Sequence, residues 1–176
     1  AAVSYAVAEQ LGFGPDEVRW VVVPFNNVFA PGPKDFDFDI NQVSYRPKRD
    51  EAVDFSDSYY DVEQAVITLK GSEFADAASL ADLADAKLGA QVGTTSLDAI
   101  TEVIQPDQDP SVYDDLSGAF QALNAGQIDG VVVDVPTAFY ATAVELDDGV
   151  IVGSLPTVGE VEHFSIVLDL GSSLTP

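Results

Sequence analysis

LGAQVGTTSLDAITEVI, the stretch from Leu88 to Ile104, has the order of a strand, a turn and a helix. Its first five residues are mostly apolar and predict a buried strand, Gly93 permits a turn, and a helix is predicted to begin near Thr94. The stretch DGVVVDVPTAFY, from Asp129 to Tyr140, has the same order of elements. Strands that alternate with helices predict an α/β fold, with a mainly parallel sheet flanked by helices.

Polar residues follow three of the predicted strands. Ser44 follows FDINQV, Thr94 follows LGAQVG, and Asp134 follows DGVVV. Ligands of α/β proteins bind at the carboxyl ends of the strands. The three positions therefore predict one site that is assembled from three strand ends.

Two further elements are predicted near the start of the chain. The opening AAVSYAVAEQLGF predicts an amphipathic helix with Val3, Val7 and Leu11 on its apolar face. The run RWVVV, from Arg19 to Val23, predicts a buried strand. No internal repeat is visible along the chain.

The composition excludes several classes of function. The 176 residues include 30 acidic and 7 basic residues, which gives a formal net charge of −23. Such a charge argues against nucleic acid and anionic membranes as partners, although an acidic surface also suits a salty environment. The chain has no cysteine and one histidine, His163, and it shows no zinc, EF-hand, nucleophile-elbow or phosphate-loop motif. We therefore predict no metal and no cofactor, and the absence of a long apolar run predicts no direct membrane insertion in this segment.

The basic residues are concentrated in one segment. Three of the seven lie within four positions, in SYRPKRDEAVDFSDSYY from Ser44 to Tyr60. Arg49 in this segment carries a planar guanidinium group, which matches a carboxylate with two parallel hydrogen bonds. From its spacing alone, Arg49 is equally a surface arginine that pairs with Asp50 or Asp54.

The segment resembles the carboxylate site of the polar-amino-acid family of solute-binding proteins of ABC importers. The resemblance extends over nearly the whole chain, and its strongest parts are PKRDEAVDFSDSYYDVEQAV, LGAQVGTTSLDAI and FQALNAGQIDGVVVDVPTAFY. It implies a two-lobed periplasmic-binding-protein-like fold that binds a free amino acid between its lobes and closes by a hinge motion. It also implies delivery of the ligand to the permease of the ABC transporter, no enzymatic activity, and an extracytoplasmic location in the periplasm or as a cell-surface lipoprotein of a bacterium.

The resemblance also implies roles for single residues. It places the ligand carboxylate at Arg49 and the ligand ammonium at Asp134. The remaining candidate ligand-binding residues are Ser44, Thr95, Thr94, Phe25 and Gln42. Thr95 and Thr94 would form part of the carboxylate site at the start of a helix, and Phe25 would pack against the ligand side chain.

Each of these residues also has an ordinary structural explanation. Asp134 is a favourable helix N-cap, Ser44 can end a strand, and a Gly-Thr-Thr turn precedes many helices. Phe25 is equally a core aromatic that anchors its loop, and the role of the Gln42 side chain is open.

The chain departs from the family pattern at both of its ends and at Arg46. Both ends are short, so the first lobe is expected to be truncated at both ends. Residues 1–64 with 165–176 are predicted to form lobe 1 and residues 65–164 to form lobe 2, with hinge strands near 64–69 and 162–168. Arg46 replaces a small or apolar residue, and it favours an acidic ligand side chain unless it is a surface residue.

Other functions remain open from the sequence. The same fold serves as the ligand-sensing domain of receptors and sensor kinases. Less favoured alternatives are a dehydratase or transglycosylase variant and an acidic structural fragment without a ligand. The identity of the amino acid is not encoded in the motifs above.

Overall fold

The structure is a computed structural model that describes residues 2–175. The chain divides into two compact units. Unit 1 comprises Ala1–Tyr60 and His163–Pro176, and unit 2 comprises Asp61–Glu162. Unit 2 is therefore continuous in sequence, whereas unit 1 is built from two segments that flank it.

Helices and strands alternate through much of the chain. In chain order they are α1 (Ala2–Gln10), α2 (Phe25–Val28), α3 (Pro47–Asp50), β1 (Asp54–Asp61), β2 (Gln64–Leu69), β3 (Leu88–Gln91), α4 (Thr95–Ala99), β4 (Ser111–Tyr113), α5 (Leu116–Asn124), β5 (Gly130–Asp134), α6 (Val135–Tyr140), β6 (Gly149–Ser154) and β7 (His163–Leu168). Single 3₁₀ turns occur at Pro15–Glu17 and Leu80–Leu83, and π turns at Ile100–Ile104 and Ala141–Glu145 extend α4 and α6. The short strand β4 lies within a segment rich in proline and aspartate, residues 106–115.

Unit 1 has a small core between its helices and its strands. β1 pairs with β7. The predicted strand FDINQV, residues 38–43, is not continuous: an isolated antiparallel bridge joins Asp39 to Val167, and a second one joins the following residue, Ser44, to Phe164. The buried cluster at the centre consists of Val28, Val43, Val53 and Val167.

The start of unit 1 differs from the sequence-based expectation. α1 is helical as predicted, but its buried residues are Ser4 and Ala8, while Val3 is 54% exposed. The run RWVVV forms no strand, and Val22 in it is 97% exposed. A strand requires hydrogen-bonding partners along its edge, and no strand within residues 2–175 pairs with this run. The predicted buried strand is therefore wrong for the structure described.

Unit 2 contains a five-stranded sheet among the residues described, in the order β4-β3-β5-β2-β6. β3 pairs in parallel with β4 and with β5, whereas β2 pairs antiparallel with β5 and with β6. Four strands thus run in one direction and β2 runs against them. The sheet is mainly parallel in strand direction, as predicted, but it is mixed because β2 separates β5 from β6.

The sheet of unit 2 is covered on both faces. The alternation of side chains along β2 and β5 sends Ala65, Ile67, Val131 and Val133 into one apolar cluster, together with residues of α5 and α6. Val66 and Val132 point into a second cluster, which includes residues of α4 and of the 3₁₀ turn Leu80–Leu83. Strands that are buried on both faces need continuous apolar runs, and AVI in β2 and VVV in β5 supply them.

Candidate ligand-binding site

Arg49 in unit 1 lies on the short helix α3, whose first residue is Pro47. A proline at the first position suits a helix, because its fixed φ angle is helical and its missing N–H would have no partner within the helix. The Nη1 atom of Arg49 donates a hydrogen bond to the Ser44 carbonyl oxygen at 2.6 Å. The backbone just before the helix therefore fixes one side of the guanidinium group.

Two aromatic rings lie beside the same guanidinium group. Its Cζ atom lies 4.4 Å from the centroid of the Phe29 ring and 5.7 Å from that of the Phe25 ring. The two rings contact each other edge to face, with centroids 5.5 Å apart. A cation over an aromatic face is attracted to it, so Phe29 and Phe25 restrict the orientation of Arg49. Phe29 was not among the predicted ligand-binding residues, although its spacing of four from Phe25 is the signal of a shared helical face.

Ser44 and Gln42 lie upstream of Arg49 in the same unit. Ser44 is 4% exposed and forms the bridge to Phe164. Gln42 is exposed and has a φ of 55°, a left-handed conformation that is uncommon for residues other than glycine. The structure thus has a sharp turn two residues before Ser44, where the sequence pattern predicts a continuous strand.

Thr94 in unit 2 is the N-cap of α4. Its Oγ1 atom accepts a hydrogen bond from the Leu97 backbone N–H at 3.2 Å and donates one to the Gln91 carbonyl oxygen at 2.7 Å. Capping of this kind satisfies an N–H that has no partner within the helix. The Thr94 hydroxyl is therefore engaged with the backbone on both sides of the turn.

Thr95 belongs to a buried hydrogen-bond network in unit 2. Its hydroxyl donates to Oε1 of Glu162 at 2.6 Å and accepts from Nε2 of Gln64 at 3.2 Å. Nε2 of Gln64 also lies 3.1 Å from both carboxylate oxygens of Glu162. Oε1 of Gln64 accepts a hydrogen bond from the Ser96 hydroxyl at 2.7 Å. Gln64 therefore links the start of α4 to the Glu162 carboxylate.

Asp134 is the last residue of β5 and the N-cap of α6. Its carboxylate accepts a hydrogen bond from the backbone N–H of Thr137 at 2.8 Å and another from the Thr137 hydroxyl at 2.8 Å. Burial raises the pKa of the Asp134 carboxyl above its ordinary value of 3.8, the Thr137 hydrogen bonds oppose this change, and the Glu162 carboxylate adds to it. Burial has the largest single effect, and the pKa is raised on balance.

Backbone pairing brings Gln64, Asp134 and Glu162 together. Gln64 lies opposite Asp134 in the register of β2 and β5. The backbone N–H of Val62 donates to the Glu162 carbonyl oxygen at 2.8 Å, which anchors Glu162 beside the start of β2. Unit 2 thus holds the Asp134 carboxylate and the buried Gln64 amide at the ends of adjacent strands, and the Glu162 carboxylate lies within hydrogen-bonding distance of that amide. Among residues 2–175 no group of three or more possible metal ligands is found.

Sequence reasoning missed Gln64, Ser96 and Glu162. Gln64 opens the run QAVITL, and a polar residue at the end of an otherwise apolar buried strand is the available signal. Glu162 is separated from Gln64 by 98 positions, and no local pattern relates them.

The chain matches the model of a known protein family. The family is described as bacterial extracellular solute-binding proteins, family 3, and the match extends over residues 1–129. The chain belongs to this family. The family is one of extracellular binding proteins, in agreement with the resemblance in the sequence motifs.

Solved structures of similar fold are amino-acid-binding proteins. An ancestral arginine-binding protein bound to arginine is 29% identical, with a TM-score of 0.78 over 98% of this chain and 74% of that chain. The ancestral protein bound to glutamine is also 29% identical, with a TM-score of 0.79 over 97% and 73%. Holo ArgBP from T. maritima is 26% identical, with a TM-score of 0.76 over 95% and 71%. These similarities confirm the predicted periplasmic-binding-protein-like fold for this member of family 3.

No curated protein matches the chain significantly. Among residues 2–175, none of the helices combines the length and the apolar character that a membrane span requires.

Proposed function

We propose that this family 3 protein binds a free α-amino acid and delivers it to the permease of an ABC importer. The observation that carries the proposal is the orientation of Arg49, whose guanidinium is held by the Ser44 carbonyl and by the Phe29 ring. The amino-acid-bound relatives support the choice of ligand. The family description supports an extracytoplasmic location in the periplasm or at the bacterial surface.

In this proposal Arg49 binds the ligand carboxylate. A free amino acid carries one carboxylate, and a guanidinium can donate two parallel hydrogen bonds to it. Contacts that already restrict the arginine reduce the conformational entropy lost when the ligand binds. Phe29 and Ser44 thus contribute to affinity through Arg49.

Asp134 binds the ligand ammonium. Its carboxylate is oriented by Thr137, and its burial makes an added positive charge more favourable than it would be in water. Ser44, Thr94 and Thr95 are proposed to shape the surroundings of the two charged groups. Phe25 is proposed to contact the ligand side chain, and Gln42 to contribute its backbone carbonyl.

Thermal unfolding in the presence of the common amino acids tests the proposal. A ligand at about 100 to 1,000 times its dissociation constant stabilises a protein by about 2.7 to 4.1 kcal/mol. For a chain of this size, that corresponds to a rise of roughly 5 to 15 °C in Tm. The ligand is expected to be recovered unchanged, since we propose binding without turnover.

Variants of the two charged residues identify the site. We expect Arg49→Gln and Asp134→Asn each to weaken binding by at least about 30-fold, because each leaves a charged ligand group without its partner. The matched controls are Lys48→Gln and Asp147→Asn, which make the same charge changes at exposed positions and should alter affinity by less than about twofold. Equal effects of a variant and its control would refute the assignment.

A further inference from the structure

The Thr95 hydroxyl in unit 2 binds a carboxylate of the protein itself. Its oxygen lies 2.6 Å from Oε1 of Glu162, a short distance that is typical of a hydroxyl that donates to an ionised carboxylate. Nε2 of Gln64 lies 3.1 Å from both oxygens of the same carboxylate. The Thr95 hydroxyl and the Gln64 amide therefore form a pair of donors whose geometry suits a carboxylate.

The Thr95 hydroxyl has a single proton to donate. A hydroxyl carries one hydrogen, and here it donates to Glu162 and accepts from Nε2 of Gln64 at 3.2 Å. Thr95 and Gln64 are each 6% exposed, and Oε1 of Gln64 accepts from the Ser96 hydroxyl at 2.7 Å. Both donors are thus fixed in place, and another carboxylate obtains the Thr95 hydrogen bond only if Glu162 releases it.

The Glu162 side chain is less restricted than the two donors. It is half-buried and ends an exposed segment, residues 156–161, which forms no helix or strand. Its backbone carbonyl is anchored by the Val62 N–H at 2.8 Å, whereas its carboxylate is at the end of a flexible side chain. Rotation of this side chain moves the carboxylate away from Thr95 without disturbing the strands of unit 2.

We propose that Glu162 is an autoinhibitory residue, whose carboxylate competes with the ligand carboxylate for the Thr95 hydroxyl. The inference rests on the proposed function, in which Thr95 belongs to the surroundings of the charged groups of the ligand. Two carboxylates at one donor also repel each other, so binding of the ligand requires the Glu162 carboxylate to move away. The competition lowers the affinity for every amino acid by the same factor, because all of them carry the α-carboxylate.

Removal of the competing carboxylate tests the inference. We expect isothermal titration calorimetry to show that Glu162→Gln and Glu162→Ala each bind amino acids about 3- to 30-fold more tightly than the wild-type protein, since one hydrogen bond contributes a factor of that order. Those of arginine, glutamine and glutamate that bind should gain by the same factor. Glu160→Gln removes an exposed charge two residues away and should change affinity by less than about twofold.

Variants of Thr95 separate competition for the hydroxyl from a general effect of charge. In Thr95→Val, which lacks the hydroxyl, addition of Glu162→Gln should change affinity by less than about twofold. In Thr95→Ser, which keeps the hydroxyl, the same addition should give the full gain. A gain of equal size in the Thr95→Val background would mean that Glu162 acts through its charge alone, and the proposal would be overturned.

Other results would also overturn the competition. They are an affinity of Glu162→Gln that equals or falls below that of the wild-type protein, and a failure of both Glu162 variants to fold, which their Tm values reveal. Either result would leave the proposed function intact if the wild-type protein binds an amino acid. Binding of no amino acid by the wild-type protein or by any variant would overturn the proposed function itself.

Discussion

At the scale of single residues, the contacts of Arg49 combine two kinds of interaction. The Ser44 carbonyl takes one donor of the guanidinium group, and the Phe29 ring lies against the group at 4.4 Å. A guanidinium is more weakly hydrated than an ammonium, so it can lie on an aromatic ring and still donate to a carboxylate. A lysine at this position would lack both the planar face and the parallel donors.

Replacement of Phe29 tests its role in positioning Arg49. Phe29→Leu keeps an apolar side chain but removes the aromatic face, so we expect ligand affinity to fall about 2- to 30-fold, from a cation–π energy of about 0.5 to 2 kcal/mol. Phe36→Leu is the control, because Phe36 packs against the same core cluster. Calorimetric affinities and Tm values should show similar losses of stability but a loss of affinity only in Phe29→Leu. Equal losses of affinity would assign Phe29 to packing alone.

The pKa of Asp134 predicts how ligand affinity depends on pH. The ammonium of the ligand favours the ionised carboxylate, so affinity should fall as protons bind to Asp134. Because this pKa is raised, the loss should begin at a higher pH than for an ordinary aspartate with a pKa of 3.8. Titration calorimetry across the acidic range measures the profile, and Asp134→Asn should remove this component. A profile that is identical in the variant would contradict the assignment.

As the pH falls, the Asp134 carboxyl changes the stability of the ligand-free protein in the opposite direction to ligand affinity. A raised folded-state pKa means that the folded state binds this proton more tightly than the unfolded state does. The Asp134 contribution therefore becomes more favourable as the pH falls from the raised pKa towards 3.8, and it is unfavourable above that window. Acidification should thus weaken ligand binding while the ligand-free protein gains this single contribution.

The sequence predicted residues whose role depends on near neighbours. Thr94 and Asp134 each cap a helix by accepting a hydrogen bond from a residue three positions further along the chain. Both partners therefore lie within one sequence motif. The network of Gln64 and Glu162 could not be predicted in this way, because it depends on how distant segments meet. The bond between Thr95 and Glu162 joins residues 67 positions apart.

At the scale of secondary-structure elements, close approach of strands in unit 2 limits the size of side chains. A Cβ atom added at Gly130 on β5 would lie 2.9 Å from Leu88 Cδ2 and 3.1 Å from the Ile67 carbonyl oxygen. Leu88 and Ile67 are both fully buried, so neither has space into which it can move. Glycine at this position allows β5 to lie close to β2 and β3.

A pair of alanine substitutions tests this packing constraint. Gly130→Ala should destabilise the protein by about 1 to 3 kcal/mol, because the added methyl group overpacks the core. Gly153→Ala on β6 meets no atom within 4 Å and should be neutral or stabilise by up to about 1 kcal/mol. Urea denaturation of both variants measures the two free energies of unfolding. A loss of similar size in both would point to backbone conformation instead of crowding.

The strand predictions were correct where an apolar run pairs with a neighbouring strand on each side. The runs that became β2 and β5 lie in the middle of the sheet and match the predicted strands. RWVVV has equally strong strand character, yet it forms none, since pairing depends on other segments and not on the run itself. The alternation of strands and helices also did not predict that β2 runs antiparallel to β5 and β6.

At the scale of the whole molecule, the two units differ in the size of their cores. Unit 2 contains two large apolar clusters, one on each face of its sheet. The buried cluster described in unit 1 consists of four valines, and several large apolar side chains of that unit, including Trp20 and Phe13, are more than half exposed. Buried apolar area is the main source of stability, so unit 2 should be the more stable of the two.

Hydrogen exchange in the ligand-free protein can measure this difference. We expect the amides of β2 and β5 to exchange most slowly and those of β1 and β7 to exchange through a partial opening of lower free energy. Native-state exchange at increasing urea concentrations, followed by NMR, separates the two processes. If β7 and β5 share one opening free energy, then the chain unfolds as a single cooperative unit and the expectation is wrong.

The hydrogen bond from the Val62 N–H to the Glu162 carbonyl has a consequence for protein engineering. It places the two ends of unit 2 next to each other, so this unit is an insertion whose chain ends are adjacent. A short linker could join the two ends, and new termini could be opened in the exposed loop at residues 107–109. Such a circular permutant, or the insertion of unit 2 into a related protein, would keep every contact among Gln64, Thr95 and Glu162.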